Sequence, residues 1–102
     1  MPAPVEFVAG LRAICDRPGS VMVADGVQTG LGRTGRMFAM EHYGIEPDMM
    51  VVAKSIAAGL PLSGVIGRAE IMDSPHMGAI GGTYIGNPIA LDSGDGKSYW
   101  EV

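Results

Sequence analysis

The chain has 102 residues, the length of one small domain, and its 47% hydrophobic and 18% charged content is not that of a disordered segment. A net charge of -4 leaves no basic footprint for nucleic acid and no polybasic patch for a membrane surface, and the single cysteine, Cys15, excludes a disulfide framework. No apolar run reaches transmembrane length and no charged start with an apolar stretch marks export, so a cytoplasmic location is expected.

Taken in order, Pro4 to Asp16 reads as a helix. Pro4 suits its first position, and Val8, Leu11 and Cys15 fall at helical spacing, with Phe7 and Ile14 widening the stripe. Cys15 therefore reads as a small core residue. Arg17-Pro18-Gly19 stops the helix. Ser20 to Ala24 is a short apolar run, a buried strand that ends at Asp25. A glycine-rich loop follows from Gly26 to Arg36, in a chain with 16 glycines, roughly twice the ~7% average usage. A short helical piece lies around Phe38 to Tyr43, and Pro47-Asp48 makes a turn. Met49 to Ala53 is a second buried strand, ending at Lys54. Leu62 to Gly67 is a third strand, Arg68 to Asp73 a helical turn or two, residues 74–87 a loop, and Pro88 opens another helix.

Helix, strand, loop and strand in this order predict an α/β fold with a parallel sheet. The strands are apolar on both faces, as strands sandwiched between helices are. Ligands of such sheets bind at the carboxyl ends of strands, where Asp25 and Lys54 both sit. Lysine is seldom buried without a partner, so an apolar run that ends in Lys54 poses a choice. Either the chain surfaces there or the amine is placed for chemistry.

"GLGRTG", Gly30 to Gly35, fits G-x-G-x-x-G, but a dinucleotide fingerprint needs its first glycine directly after a strand and its last inside a helix. Here the strand ends five residues too early, and Asp48 precedes a strand instead of ending one. His42 and His76 stand apart from any Cys or carboxylate at ligand spacing, so no metal is expected. Met37 and Met40 read as packing residues.

Asp25, Gln28, Lys54 and Thr83 form the constellation that can carry chemistry. A strand-end amine forms an imine with an aldehyde if its pKa is lowered by desolvation or a nearby positive charge. Pyridoxal phosphate supplies the aldehyde and an electron sink, and a carboxylate such as Asp25 can keep the ring nitrogen protonated. The Gln28 amide can reach a ring hydroxyl, and the Gly81-Gly82-Thr83 stretch offers backbone N–H groups and a hydroxyl to a phosphate. From the residues alone, cofactor chemistry, a small nucleotide-binding module and a remnant with no activity all remain open.

At "VMVADGVQTGLGRTGRMFAMEHYGIEPDMMVVAKSIAAGLPLSGVIGRAEIMD" and "GGTYIGNPIAL" the sequence resembles class III pyridoxal-phosphate aminotransferases, above all the 4-aminobutyrate aminotransferase group. The resemblance runs from Pro2 to about Leu91. It implies part of the large domain of the fold-type-I transferase fold, a mostly parallel sheet with flanking helices. It also implies transfer of an amino group from an ω-amino acid such as 4-aminobutyrate to 2-oxoglutarate. The partners implied are a small-molecule amino donor, a 2-oxo acid acceptor and a second copy in a homodimer, with no nucleic acid and no membrane. By the same resemblance, Asp25 pairs with the pyridinium nitrogen, Val27 packs on the ring face and Gln28 contacts the ring hydroxyl. Lys54 is the Schiff-base lysine and later moves the proton, and Thr83 binds phosphate across the interface with the neighbouring subunit.

Three departures stand out. The family's "DEVQTG" reads Asp25-Gly26 here, and restoring a glutamate at Gly26 in a full-length homologue is expected to stabilise the strand end. The family's main phosphate loop, the aromatic stacked on the ring and a substrate-carboxylate arginine have no counterpart in the chain. Beyond Leu91 the sequence "DSGDGKSYWEV" resembles nothing in the family. The expectation is a fragment: residues 1–91 a partial cofactor-binding large domain, residues 92–102 an unmatched polar tail outside the packed fold.

Overall fold

Helix α1 (Val5–Asp16) starts one residue later than its sequence suggests, because Pro4 stays extended at φ -60° and ψ 150° and caps it from outside. The Pro4 carbonyl accepts the amides of Phe7 and Val8, at 3.2 and 3.4 Å. The computed structural model describes residues 2–17, 19–57, 59–79, 81, 83 and 85–92. Of the expected tail at 92–102, Asp92 is described and residues 93–102 lie outside the described set.

Three short strands follow: β1 (Val23–Asp25), β2 (Met49–Val52) and β3 (Gly64–Gly67). They form one sheet in the order β1-β2-β3. β1 runs parallel to β2, with Val23 opposite Met49 and Asp25 opposite Val51. β3 is antiparallel to β2, with Met49 opposite Gly67 and Val52 opposite Gly64. The expected parallel sheet is therefore mixed in this part of the fold. The chain from β2 to β3 crosses only residues 53–63, short of the crossover of a dozen or more residues that a parallel pair needs, so the return strand pairs antiparallel. A 3₁₀ turn at Ala39–His42 stands where the short helical piece is expected, and a second at Lys54–Ala57 has no counterpart in the sequence reading. Single helical turns α2 (Ala69–Met72) and α3 (Pro88–Asp92) lie where Arg68 and Pro88 predict them.

The core is small: Val8, Val52, Ala57 and Ala90 are its buried apolar residues among those described. This corrects two expectations. On α1 only Val8 of the apolar stripe is buried, while Phe7 and Ile14 are 58% and 62% exposed and Cys15 is half-buried. On the sheet, β2 is half-buried with Val52 alone fully covered, and Val23 and Ile66 of the flanking strands are 52% and 53% exposed. Three strands of three or four residues offer too little surface to cover a stripe three turns long, and one long helix cannot roof both faces of a sheet.

Asp48, 7% exposed, joins these elements. One carboxylate oxygen accepts the Met22 amide at 2.8 Å and the Arg12 guanidinium of α1 at 2.7 Å. The other accepts Arg68, just beyond β3, at 3.2 Å. Its backbone takes part as well: the Asp48 amide donates to the Met22 carbonyl at 2.9 Å, and its carbonyl accepts the Arg68 amide at 3.1 Å. These bonds occupy both backbone groups of Met22, so β1 starts at Val23 and not at Ser20. Arg12 also reaches Asp16 at 2.8 Å on its own helix, and Arg68 pairs with Glu70.

The Met22 amide, and after it Arg12 and Arg68, hold the Asp48 carboxyl at about 2, against an ordinary 3.8, over the opposing effect of burial. A carboxyl depressed in the folded state stabilises the fold above its unfolded pKa and loses that contribution as pH falls through its folded value. The thermal midpoint should accordingly drop as pH is lowered from 3.8 towards about 2. Asp48→Asn should show a lower midpoint at neutral pH and a flatter acid limb. Parallel acid limbs in the two proteins, followed by circular dichroism melts, would remove Asp48 from this role.

Candidate functional site

Because β1 and β2 are parallel, their carboxyl ends lie side by side, and Asp25 and Lys54 arrive at the same end of the sheet. Asp25 is the last residue of β1 and is opposite Val51, three residues before Lys54 on the neighbouring strand. Both side chains are exposed, so the chain surfaces at Lys54. The turn after β1 is built on Asp25. Its carboxylate accepts the Val27 amide at 3.0 Å, and its carbonyl accepts the Thr29 hydroxyl at 3.5 Å. The first of these is an Asx turn, the local bond that lets aspartate end a strand. It places half-buried Val27 and exposed Gln28 directly beside the carboxylate.

Two glycines are required by close approach. The Gly26 amide donates to the Val51 carbonyl at 2.8 Å. A Cβ at Gly26 would lie 2.8 Å from that same oxygen, and one at Gly30 would lie 2.8 Å from the Gly26 carbonyl. This overturns the expectation that a glutamate at Gly26 would stabilise the strand end: on this backbone the space is already occupied by main chain. Forcing a side chain into packed space costs about 1–3 kcal/mol. Gly26→Ala should therefore lower the stability of this chain by about that amount, measured by denaturant unfolding. A midpoint equal to or above that of the unchanged chain would show that the β1–β2 pair can spread at no cost.

From Gly30 the loop closes on itself, Gly32 donating to Met37 at 3.3 Å and Gly35 to Gly32 at 3.1 Å. His42 Nε2 lies 3.0 Å from the Thr34 carbonyl and 3.2 Å from its hydroxyl, tying the loop to the 3₁₀ turn. No α-helix opens at Gly35, where the chain bends through Phe38 into that turn, so the loop lacks the helix N-terminus that a dinucleotide fingerprint needs. On the far side the Arg33 Nε donates to the Ser55 hydroxyl at 3.3 Å, beside Lys54. Lys54 itself has φ 53°, and Leu31 has φ 57°; they are the two non-glycine residues in the left-handed region among those described. Sequence reasoning missed Arg33 and Ser55. The only signal for them is position, one inside the glycine loop and the other directly after the lysine.

A cavity of about 210 Å³ lies beneath the loop, lined among others by Val8, Leu11, Met22, Asp25, Phe38 and Met50. Neither Gln28 nor Lys54 lines it. It is an apolar gap under α1, not the place where amine and carboxylate meet. Thr83 is exposed in a turn, and among the described residues no hydrogen bond joins it to Asp25, Gln28 or Lys54. Among the described residues, no group of three His, Cys, Asp or Glu could hold a metal ion and no helix is long and apolar enough to cross a membrane.

By type, the donor set matches three groups spread across a pyridoxal ring. It comprises a carboxylate for a protonated ring nitrogen, a side-chain amide for a ring hydroxyl and a primary amine for the aldehyde, all at the carboxyl ends of adjacent strands. Among the described residues no hydrogen bond links Thr83 to this set.

Residues 1–93 match the family model for aminotransferase class-III. The chain is 57% identical over 90 residues to 5-aminovalerate aminotransferase of Pseudomonas putida, covering 88% of this chain and 21% of that protein. It is 58% identical over 84 residues to 4-aminobutyrate aminotransferase of Escherichia coli, covering 82% and 20%. Its fold superposes on ornithine delta-aminotransferase of Plasmodium falciparum with a TM-score of 0.81 at 34% identity, over 91% of this chain and 24% of that one. Against taurine:2-oxoglutarate aminotransferase of Bifidobacterium kashiwanohense, solved with pyridoxal phosphate and glutamate, the TM-score is 0.77 at 39% identity, over 87% and 21%. The chain thus spans about a fifth of the length of the curated relatives it matches.

Proposed function

This chain belongs to the class III aminotransferase family, and from that premise we propose that it carries the ring-binding and amine-bearing part of a pyridoxal-phosphate transaminase. The observation that carries the reading is the parallel pairing of β1 with β2, which brings Asp25 and Lys54 to one end of the sheet. The reaction proposed for the whole protein moves an amino group from an ω-amino acid to 2-oxoglutarate. The donor class is supported by the names of the relatives, 5-aminovalerate and 4-aminobutyrate aminotransferases.

Bound pyridoxal phosphate supplies an aldehyde and an electron sink. In this reading the Lys54 amine would hold the aldehyde, the carbonyl oxygen leaving as water, and would serve as the base that moves a proton once substrate has taken its place. Asp25 holds a proton on the ring nitrogen, and its Asx turn fixes one carboxylate oxygen for that role. Gln28 orients the ring through its hydroxyl, and Val27 packs on the ring face. Thr83 serves the phosphate of a neighbouring subunit's cofactor in a homodimer. A cytoplasmic location completes the proposal.

Two lysines, Lys54 and Lys97, make the test internally controlled. The full chain is incubated with pyridoxal phosphate, reduced with borohydride and mapped by peptide mass. The adduct should lie on Lys54 and vanish from that peptide in Lys54→Ala, while Asp25→Ala, which keeps the amine, should still be labelled. An adduct mainly on Lys97 would return Lys54 to a strand-end lysine reaching for solvent. With 4-aminobutyrate, 2-oxoglutarate and cofactor, the 102-residue chain should form no glutamate above background. The chain spans about a fifth of the length of its relatives and has no counterpart of the family's main phosphate loop or substrate-carboxylate arginine, and positioning of reactants supplies about 7–11 kcal/mol of such barriers. Chain-dependent glutamate formation would contradict that outcome.

A further inference from the structure

We propose that Arg33 is a positioning residue for Lys54, acting through the hydroxyl of Ser55; the proposal rests on the reading of Lys54 as the cofactor-binding amine. Three observations meet here. First, Lys54 takes φ 53°, a conformation that side-chain-bearing residues adopt only when their surroundings enforce it. Second, the first bond of the 3₁₀ turn that begins at Lys54 is long: its Ile56 amide reaches the Ala53 carbonyl at 3.4 Å. Third, the side-chain bond that reaches this turn from elsewhere in the sequence is Arg33 Nε to Ser55 Oγ, 3.3 Å across 22 residues.

Arg33 is itself anchored. It follows the left-handed Leu31 and Gly32, whose amide is bound to Met37. It precedes Thr34, which His42 holds by its carbonyl and hydroxyl. The loop is thus tied to the 3₁₀ turn at Ala39–His42 on one side and to the Lys54 turn on the other. The guanidinium offers several donors in a rigid plane, and using Nε on Ser55 leaves the terminal nitrogens free. The glycine-rich loop, which has no helix for a nucleotide, thereby gains a role of its own, carrying a brace that holds the backbone of the amine-bearing residue in its strained state.

The brace is tested on the full chain with two readouts. The first is the ratio of pyridoxal-phosphate adduct on Lys54 to that on Lys97 after borohydride reduction. Condensation of amine and aldehyde releases water, and borohydride delivers hydride to the carbon–nitrogen double bond. The variants are Arg33→Ala, Ser55→Ala, the double variant and Ser55→Thr, followed across the neutral to alkaline range. Arg33→Ala and Ser55→Ala should each lower the ratio by a similar factor, about two- to tenfold for one net hydrogen bond. The double variant should lower it no further, as expected for two ends of one interaction. Ser55→Thr, which keeps the hydroxyl, should restore the ratio. If Arg33→Ala acts and Ser55→Ala does not, the effect is one of charge and the brace is wrong; so it is if the two effects add.

The second readout is hydrogen exchange at the Ile56 amide, which should quicken in Arg33→Ala and in Ser55→Ala but not in Ser55→Thr. Exchange there that is unchanged in Arg33→Ala overturns the brace. If the unchanged chain labels Lys54 no better than Lys97, the cofactor reading fails, while Ile56 exchange still decides whether Arg33 holds the turn.

Discussion

A single carboxylate organises this chain. Asp48 stands one residue before β2 and is bonded to α1 through Arg12, to the approach of β1 through Met22 and to the exit of β3 through Arg68. These partners lie 36, 26 and 20 residues away in sequence. Such a group is costly to bury alone and acceptable when its lone pairs are filled, as they are here by two guanidinium groups and an amide. Its effect is one of register. With Met22 bound by both its backbone groups to residues 48 and 49, β1 can only start at Val23, and so Asp25 can only arrive opposite Val51. The adjacency of the candidate carboxylate and amine is thus set at the opposite end of the strands from where they act.

Much of this was legible in the sequence, and the reasons differ by element. The apolar runs Ser20–Ala24 and Met49–Ala53 announced strands because they are short, β-branched or methionine-rich and end in charge. Their parallel pairing was expected from the order helix, strand, loop and strand. Asp25 and Lys54 could then be placed at strand ends without coordinates. The third strand was visible but its direction was not, since direction depends on the length and path of the connection, and residues 53–63 gave no firm period. Asp48 was read only as part of a Pro-Asp turn. A turn aspartate and a buried hub look alike in sequence, because what distinguishes them is partners 20 to 36 residues away.

Burial was the least legible property. Phe7, Leu11 and Ile14 have the spacing of a core-facing helix, yet all three are exposed. Periodicity states which face of a helix is apolar, and says nothing about how much surface is present to receive it. Backbone strain was equally hidden. No rule of composition marks a lysine for the left-handed region, and the tie from Arg33 to Ser55 emerges only when the glycine loop is seen beside the second strand's end. The glycine at position 26 looked like a loosened strand end and is instead a point where two main chains touch.

The order of the sheet gives its two candidate groups unequal footing. β2 has a neighbour on each side, whereas β1 has one, so among the described residues β1 is an edge strand. Lys54 therefore follows a strand fixed by ladders from both directions, and Asp25 ends one whose outer row of N–H and C=O groups has no strand beside it among those residues. An added strand on that outer row would stiffen the carboxylate and leave the amine untouched. Whatever lies along the free margin of β1, be it water, another stretch of backbone or a second molecule, acts as a separate control on the acid half of the pair.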